Sequence, residues 1–158
     1  MIVPYINPRR APIPLFVPVQ AAGGEVKDIE VDGRPYRLHT FTESGDFEVI
    51  SVGTSDQVEY FLLGSGGAGS HHNTAATGNG GGSAGQLKKG TTAVSVGTYP
   101  VVVPSGGVGV ASGTVDGADG APATFAGDSA AGGVGGRRHG VSQGGKEGFH
   151  GSGAGGAS

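Results

Sequence analysis

The chain has 158 residues, 35 of them glycine, with no cysteine and a formal net charge of −3. The missing cysteines exclude disulfides, thiolate metal sites and thiol nucleophiles. The charge gives no bulk attraction to nucleic acid or an anionic membrane, and no apolar run is long enough to span a bilayer, so no membrane insertion is expected. Glycine stands at about three times its usual frequency, with five glycines in residues 1–63 and thirty after. Aromatic residues run the other way: only Tyr99, Phe125 and Phe149 follow residue 63. The chain changes physical character near Gly64.

Residues 1–20 carry Pro4, Pro8, Pro12, Pro14 and Pro18. Each fixes its own φ and pushes the preceding residue toward extended backbone. Between them lie Ile2, Val3, Ile6, Ile13, Leu15, Phe16 and Val17, which are costly to leave in water. Residues 1–24 therefore read as an extended arm docked on a partner, since a solvated tail would be more polar. Arg9-Arg10 before residues 13–19 faintly resembles an export signal, but the prolines interrupt any apolar helix there.

Residues 25–63 read as a small β domain. Residues 26–31 and 36–41 flank Asp32-Gly33, a strong two-residue hairpin signal. A turn at residues 43–46 leads to a strand at 47–52. Residues 58–63 are nearly all apolar, which predicts a strand buried on both faces. These four strands are expected to form one small antiparallel sheet, marginal by itself.

Residues 64–158 contain no helix signal, and only 92–96 and 98–103 look like strands. Two outcomes are open: a flexible linker, or an ordered array of extended polyglycine helices. Three-residue-per-turn extended helices have no internal hydrogen bonds, so their N–H and C=O groups point outward to neighbours. Glycine at the contacts lets the backbones approach. Gly64/Gly67, Gly66/Gly69, Gly78/Gly81, Gly82/Gly85, Gly106/Gly109, Gly117/Gly120, Gly145/Gly148/Gly151 and Gly153/Gly156 are three apart. A strict collagen repeat is absent.

Motifs that imitate chemistry lack their context. Residues 64–69 match G-x-G-x-x-G after an apolar strand, but no helix follows to hold a pyrophosphate. Residues 140–146 imitate a P-loop, with Glu147 where the hydroxyl residue belongs. His71-His72 point to opposite sides of an extended chain, so one chain offers at most one imidazole ligand comfortably. Arg137-Arg138-His139 form a short basic cluster without interleaved aromatics, which disfavours stacking on single-stranded nucleic acid. No catalytic, cofactor or metal residue is singled out, and no enzyme or cofactor is expected.

Residues 36–49, with Phe41, Ser44-Gly45, Phe47 and Val49, resemble the entry strands of the glycine-rich domain of bacteriophage tail fibres and minor tail proteins. Residues 58–69 resemble its next block, an apolar strand running into polyglycine. Residues 97–103, 119–125 and 130–136 resemble later blocks in the same order. Pro104-Ser105 stands where that family continues with glycine. The resemblance implies a mainly β fold: a small antiparallel sheet as base, then a polyglycine-II helix sandwich over 64–158. It also implies a virion protein of the tail, a minor tail, tail-tip or fibre component, whose partners are other tail proteins, as a homo-oligomer with a trimer by family habit. The alternative is a receptor-binding adhesin whose loops touch a host surface receptor or polysaccharide. The expected contacts are His71, His72, Asn73, Lys88, Lys89, Arg137, Arg138 and His139, in loops near 71–77, 88–92 and 137–141. An ice-binding or matrix protein would share the glycine content, but it would need neither arm nor sheet.

Overall fold

The computed structural model describes residues 16–73 and 79–138. Of the expected docking residues, Phe16 and Val17 are described and both are exposed. Ile2, Val3, Ile6, Ile13 and Leu15, together with His139, residues 140–146 and the glycine triplets near 145–156, lie outside.

The fold is mainly β, without an α-helix among the described residues, and its sheets are antiparallel. Among the described residues nine strands follow in chain order: β1 (Gln20–Ala22), β2 (Glu25–Val31), β3 (Arg34–Thr40), β4 (Gly45–Ser51), β5 (Gln57–Leu63), β6 (Leu87–Ala93), β7 (Gly97–Val102), β8 (Ala123–Phe125) and β9 (Asp128–Ala130). They form a five-stranded sheet in the order β1-β4-β7-β8-β9 and two ribbons, β2-β3 and β5-β6.

The hairpin at Asp32-Gly33 forms as its sequence requires. Both residues have positive φ, 51° and 74°, the left-handed pair that a two-residue turn needs to match strand twist. The expected single sheet of four strands does not form. β2-β3 stands as its own ribbon, β4 pairs with β1 and β7, and β5 pairs with β6. β7 and β6, the partners of β4 and β5, come from beyond residue 64, and β4 takes its other partner, β1, from residues read as part of the arm. Pro100 is tolerated inside β7 because β8 pairs only with Val101 and Val102, so no ladder bond on that side needs its missing N–H.

β5 corrects a second expectation. Tyr60 and Leu62 are buried, but Phe61 and Leu63 are each 64% exposed. Among the described residues one face of the ribbon is covered, by β8 and β9. The core lies between that face and the sheet, with Phe47, Val49, Val94, Val101, Phe125 and Ala130. Phe125 sits at its centre, edge-on to Phe47 at 5.7 Å and to Tyr60 at 5.9 Å between centroids. The Tyr60 ring lies over Gly90 of β6, leaving no room for a side chain there. Its hydroxyl donates to Asp128 on β9, which also receives Lys88 of β6 at 2.5 Å.

The described residues of the glycine half include five extended segments that pack together: I (64–71), II (79–86), III (104–110), IV (115–121) and V (131–138). Gly64, Gly67 and Ser70 donate backbone bonds to Gln86, Ser83 and Gly80 of segment II, each 2.9 Å. Ser65, Ala68 and His71 donate to Ala121, Ala118 and Val115 of segment IV at 2.9–3.2 Å. Gly133 and Gly136 of segment V donate to Ser65 and Ala68 at 2.7 and 2.8 Å. The partner number steps by three each time. Segment I runs antiparallel to II and IV and parallel to V, with bonds leaving in different directions at successive residues. That is the polyglycine-II arrangement, and a pleated strand of period two cannot produce it. Segment V also bonds to II through Ser83–Val134 and to IV through Gly120–Gly133, while Gly107 of III donates to Gly66. The segments form two layers, III-I-II against IV-V.

These glycines serve close approach rather than unusual φ. A methyl group on Gly64 would lie 2.0 Å from the Ala131 oxygen, and one on Gly133 2.0 Å from the Ser83 oxygen. Polar side chains on the segments complete the bonding. Ser83 Oγ accepts from Val134 N, Gln86 Oε1 from Ala131 N, and Asp119 Oδ1 from Gly135 N. Each net bond contributes about 1 kcal/mol, against about 1–2 kcal/mol of backbone entropy per residue. The bundle therefore depends on the strands that set its register: β5 runs into I, II into β6, IV toward β8 and β9 into V. Amide exchange should show slow N–H groups at Gly64, Gly67 and Ser70 and at Ser65, Ala68 and His71. Uniformly fast exchange over 64–71 would contradict the packed bundle.

Candidate functional site: the distal end of the glycine segments

The segments start at the sheet and end together away from it. Segment I rises eight residues, about 22 Å at the extended-helix rise. Its far end carries His71, His72 and Asn73; segment V delivers Arg137 and Arg138 to the same end. The loop before segment IV closes the group through an antiparallel bridge between His71 and Val115, and Asn79 bridges Arg138.

Side chains at this end mostly hold backbone. The Nδ1–H of His71 donates to the Gly113 carbonyl at 2.8 Å, which fixes the tautomer because a carbonyl can only accept. Asn73 Oδ1 accepts from Gly113 N at 3.0 Å. Asp116 receives Arg137 Nη1 at 2.9 Å and the Arg138 amide at 3.0 Å. Arg138 Nη1 donates to the Thr114 carbonyl at 2.7 Å. The loops are thus tied to the ends of the segments by named polar contacts, giving a shaped polar end. Among the described residues no group of acidic and histidine side chains could hold a metal ion.

Lys88 and Lys89 are elsewhere. The expected loop at 88–92 is part of β6, at the sheet end of the molecule. Lys88 is committed to Asp128, and Lys89 lies 5.5 Å from the Phe61 ring centre. The strand was hidden in the sequence because Gly90 interrupts it, and only the overlying Tyr60 ring explains that glycine. Asp116 is the residue that sequence reading missed. Its signal was weak, a lone carboxylate before Gly117.

The Arg138 amide, then the Arg137 guanidinium, hold the Asp116 carboxyl below its ordinary value. Lys88, then the Tyr60 hydroxyl, do the same for Asp128. Both folded values lie below the unfolded value of about 3.9, so the unfolded chain takes up protons first on acidification. Their contribution is complete above the ordinary carboxylate range and is lost as pH falls through it toward the folded values. Melting temperature should be flat near neutrality and fall below about pH 4. Asp116→Asn and Asp128→Asn together should lower the plateau and flatten the acid limb; an unchanged acid limb would contradict this assignment.

Comparison with curated proteins and comparison with solved structures each gave no match. The family described as "Glycine-rich domain" matches residues 42–158, from just before β4 through all five segments. β1 and the β2-β3 ribbon precede the matched region. With most of its length in that match, the chain belongs to the glycine-rich domain family.

Proposed function

We propose that this protein is a structural component of a bacteriophage tail, a minor tail, tail-tip or fibre protein, docked through its N-terminal arm. The observation that carries the reading is the bundle itself: backbone segments bonded at a three-residue repeat, projecting about 22 Å from a β base. Such a body is stiff, needs no enclosed cavity, and places loops at its far end. The ordered sequence blocks over 36–136 resemble the tail family, which supports the assignment. The role uses no catalysis and no cofactor. Its partners are other tail proteins, and its location is the virion tail. Immunogold labelling with antibody against residues 16–138 tests it on purified particles of the encoding phage. Gold at the tail is expected; unlabelled particles with the protein left free in the lysate would sink the reading.

The gathering of His71, His72, Asn73, Arg137 and Arg138 at one end favours a second reading, in which that end meets a host receptor or surface polysaccharide. Purified protein should then compete with particles for adsorption to host cells. Undiminished adsorption at saturating protein would leave the role architectural.

A further inference from the structure

The covered and uncovered sides of the β5-β6 ribbon differ in a way the monomer does not explain. On the uncovered side Phe61, Leu63 and Leu87 are 64%, 64% and 66% exposed, and Leu63 and Leu87 are cross-strand partners. β8 and β9 cover the other side, and segments IV and V continue that layer. The uncovered side of the ribbon therefore continues along segments I and II, where Gly66, Gly69, Gly81 and Ala84 are exposed.

Two glycines of this continuation are not required by the fold. The nearest atom to a methyl group on Gly66 or Gly69 would be 3.6 Å away, ordinary contact. Gly64 and Gly67 on the same segment leave no such room. Among the described residues, the N–H groups of Gly66 and Gly69 find no acceptor, and the carbonyls of Gly81 and Ala84 find no donor. One face thus offers open donors and open acceptors beside a largely apolar foot of Phe61, Leu63 and Leu87, which also carries Lys89 against the Phe61 ring.

We propose that this face binds the same face of a second copy of the chain. An occupant must bring backbone donors and acceptors at a three-residue repeat, carry nothing larger than a methyl group at the contact, and supply apolar groups at one end. This chain meets all three conditions itself, and a two-fold axis along the segments sets donors against acceptors and foot against foot. The face is about 30 Å long and about 15 Å wide. A pair buries on the order of 1,000 Å², the lower limit for specific association, so the dimer is in concentration-dependent exchange with monomer. The proposal rests on the fold and stands or falls apart from the tail assignment.

Sedimentation equilibrium of the full chain tests it. Dimer mass is expected in the micromolar range, with the Gly66 and Gly69 amides slowing in hydrogen exchange as concentration rises. Leu63→Thr with Leu87→Thr, which keeps strand-forming residues at this cross-strand pair, should weaken association at least about tenfold with little change in melting temperature, because both side chains are exposed. Gly69→Gln, which the monomer accommodates, should weaken it too. Monomer mass at every concentration, a trimer, or a dimer untouched by both variants would overturn the proposal. So would loss of the dimer on Leu38→Asp in the β2-β3 ribbon alone, which would move the interface there.

Discussion

Gly135→Ala is expected to unfold the glycine bundle. The added methyl group would lie 1.9 Å from the Gly117 carbonyl oxygen and 2.4 Å from its carbon. Neither atom belongs to a flexible side chain, so segments IV and V must part. Parting them breaks the backbone bonds from Gly117 to Gly136 and from Gly120 to Gly133, at 2.8 and 2.7 Å. It also breaks the bond from Gly135 to Asp119. Overpacking alone costs about 1–3 kcal/mol, and each lost bond adds about 1 kcal/mol. A small domain has about 5–15 kcal/mol in all, so a large fall in melting temperature, or failure to fold, is the expected result. Gly109→Ala is the matched control. No atom lies within 4 Å of the new methyl group, and restricting the unfolded chain should stabilise by about 0.4–1 kcal/mol. Thermal melts of the two variants check both expectations together. Equal melting temperatures would contradict the bundle geometry, since both changes are glycine to alanine in the same half of the chain.

Phe125→Ala is expected to cost about 3–5 kcal/mol. The ring meets Phe47 of β4, Tyr60 of β5 and Tyr99 of β7, so it joins the sheet to the ribbon. Edge-on pairs add to the burial of a large apolar side chain. Denaturant titration should show a lower midpoint with little change in slope, because the surface exposed on unfolding is nearly the same. Phe125→Leu, which keeps most of the volume, should lose far less. A loss below about 1 kcal/mol for Phe125→Ala would mean that sheet and ribbon are held together by other contacts.

Both expectations turn on glycines and one aromatic whose roles had different visibility in the sequence. The pairs Gly64/Gly67, Gly82/Gly85 and Gly117/Gly120 stand at backbone contacts, as their spacing suggests. Gly66/Gly69 and Gly106/Gly109 have the same spacing and room for a methyl group at each. Gly132/Gly135 and Gly133/Gly136 interleave within one run, which hides two separate sets: one faces segment IV, the other segment II. Spacing reports a three-residue repeat but not which side of the helix meets a neighbour. The candidate site was legible in part. His71, His72, Asn73, Arg137 and Arg138 come to one end because segments I and V run parallel. Lys88 and Lys89 do not, because residues 87–93 are a strand held against β5.

The sequence by itself determined the mainly β class, the Asp32-Gly33 turn and the lack of a helix signal in the glycine half, and it left linker and packed array both open there. These follow from local facts: positive φ at two residues, alternation along a strand, and a backbone stripped of side chains. Tertiary structure alone decided that β4 joins β7, that β5 is covered on one face, and which glycines are indispensable. Each depends on what a distant segment places within a few ångströms. A backbone carbonyl 2 Å from an absent methyl group leaves no mark in the sequence beyond the glycine itself.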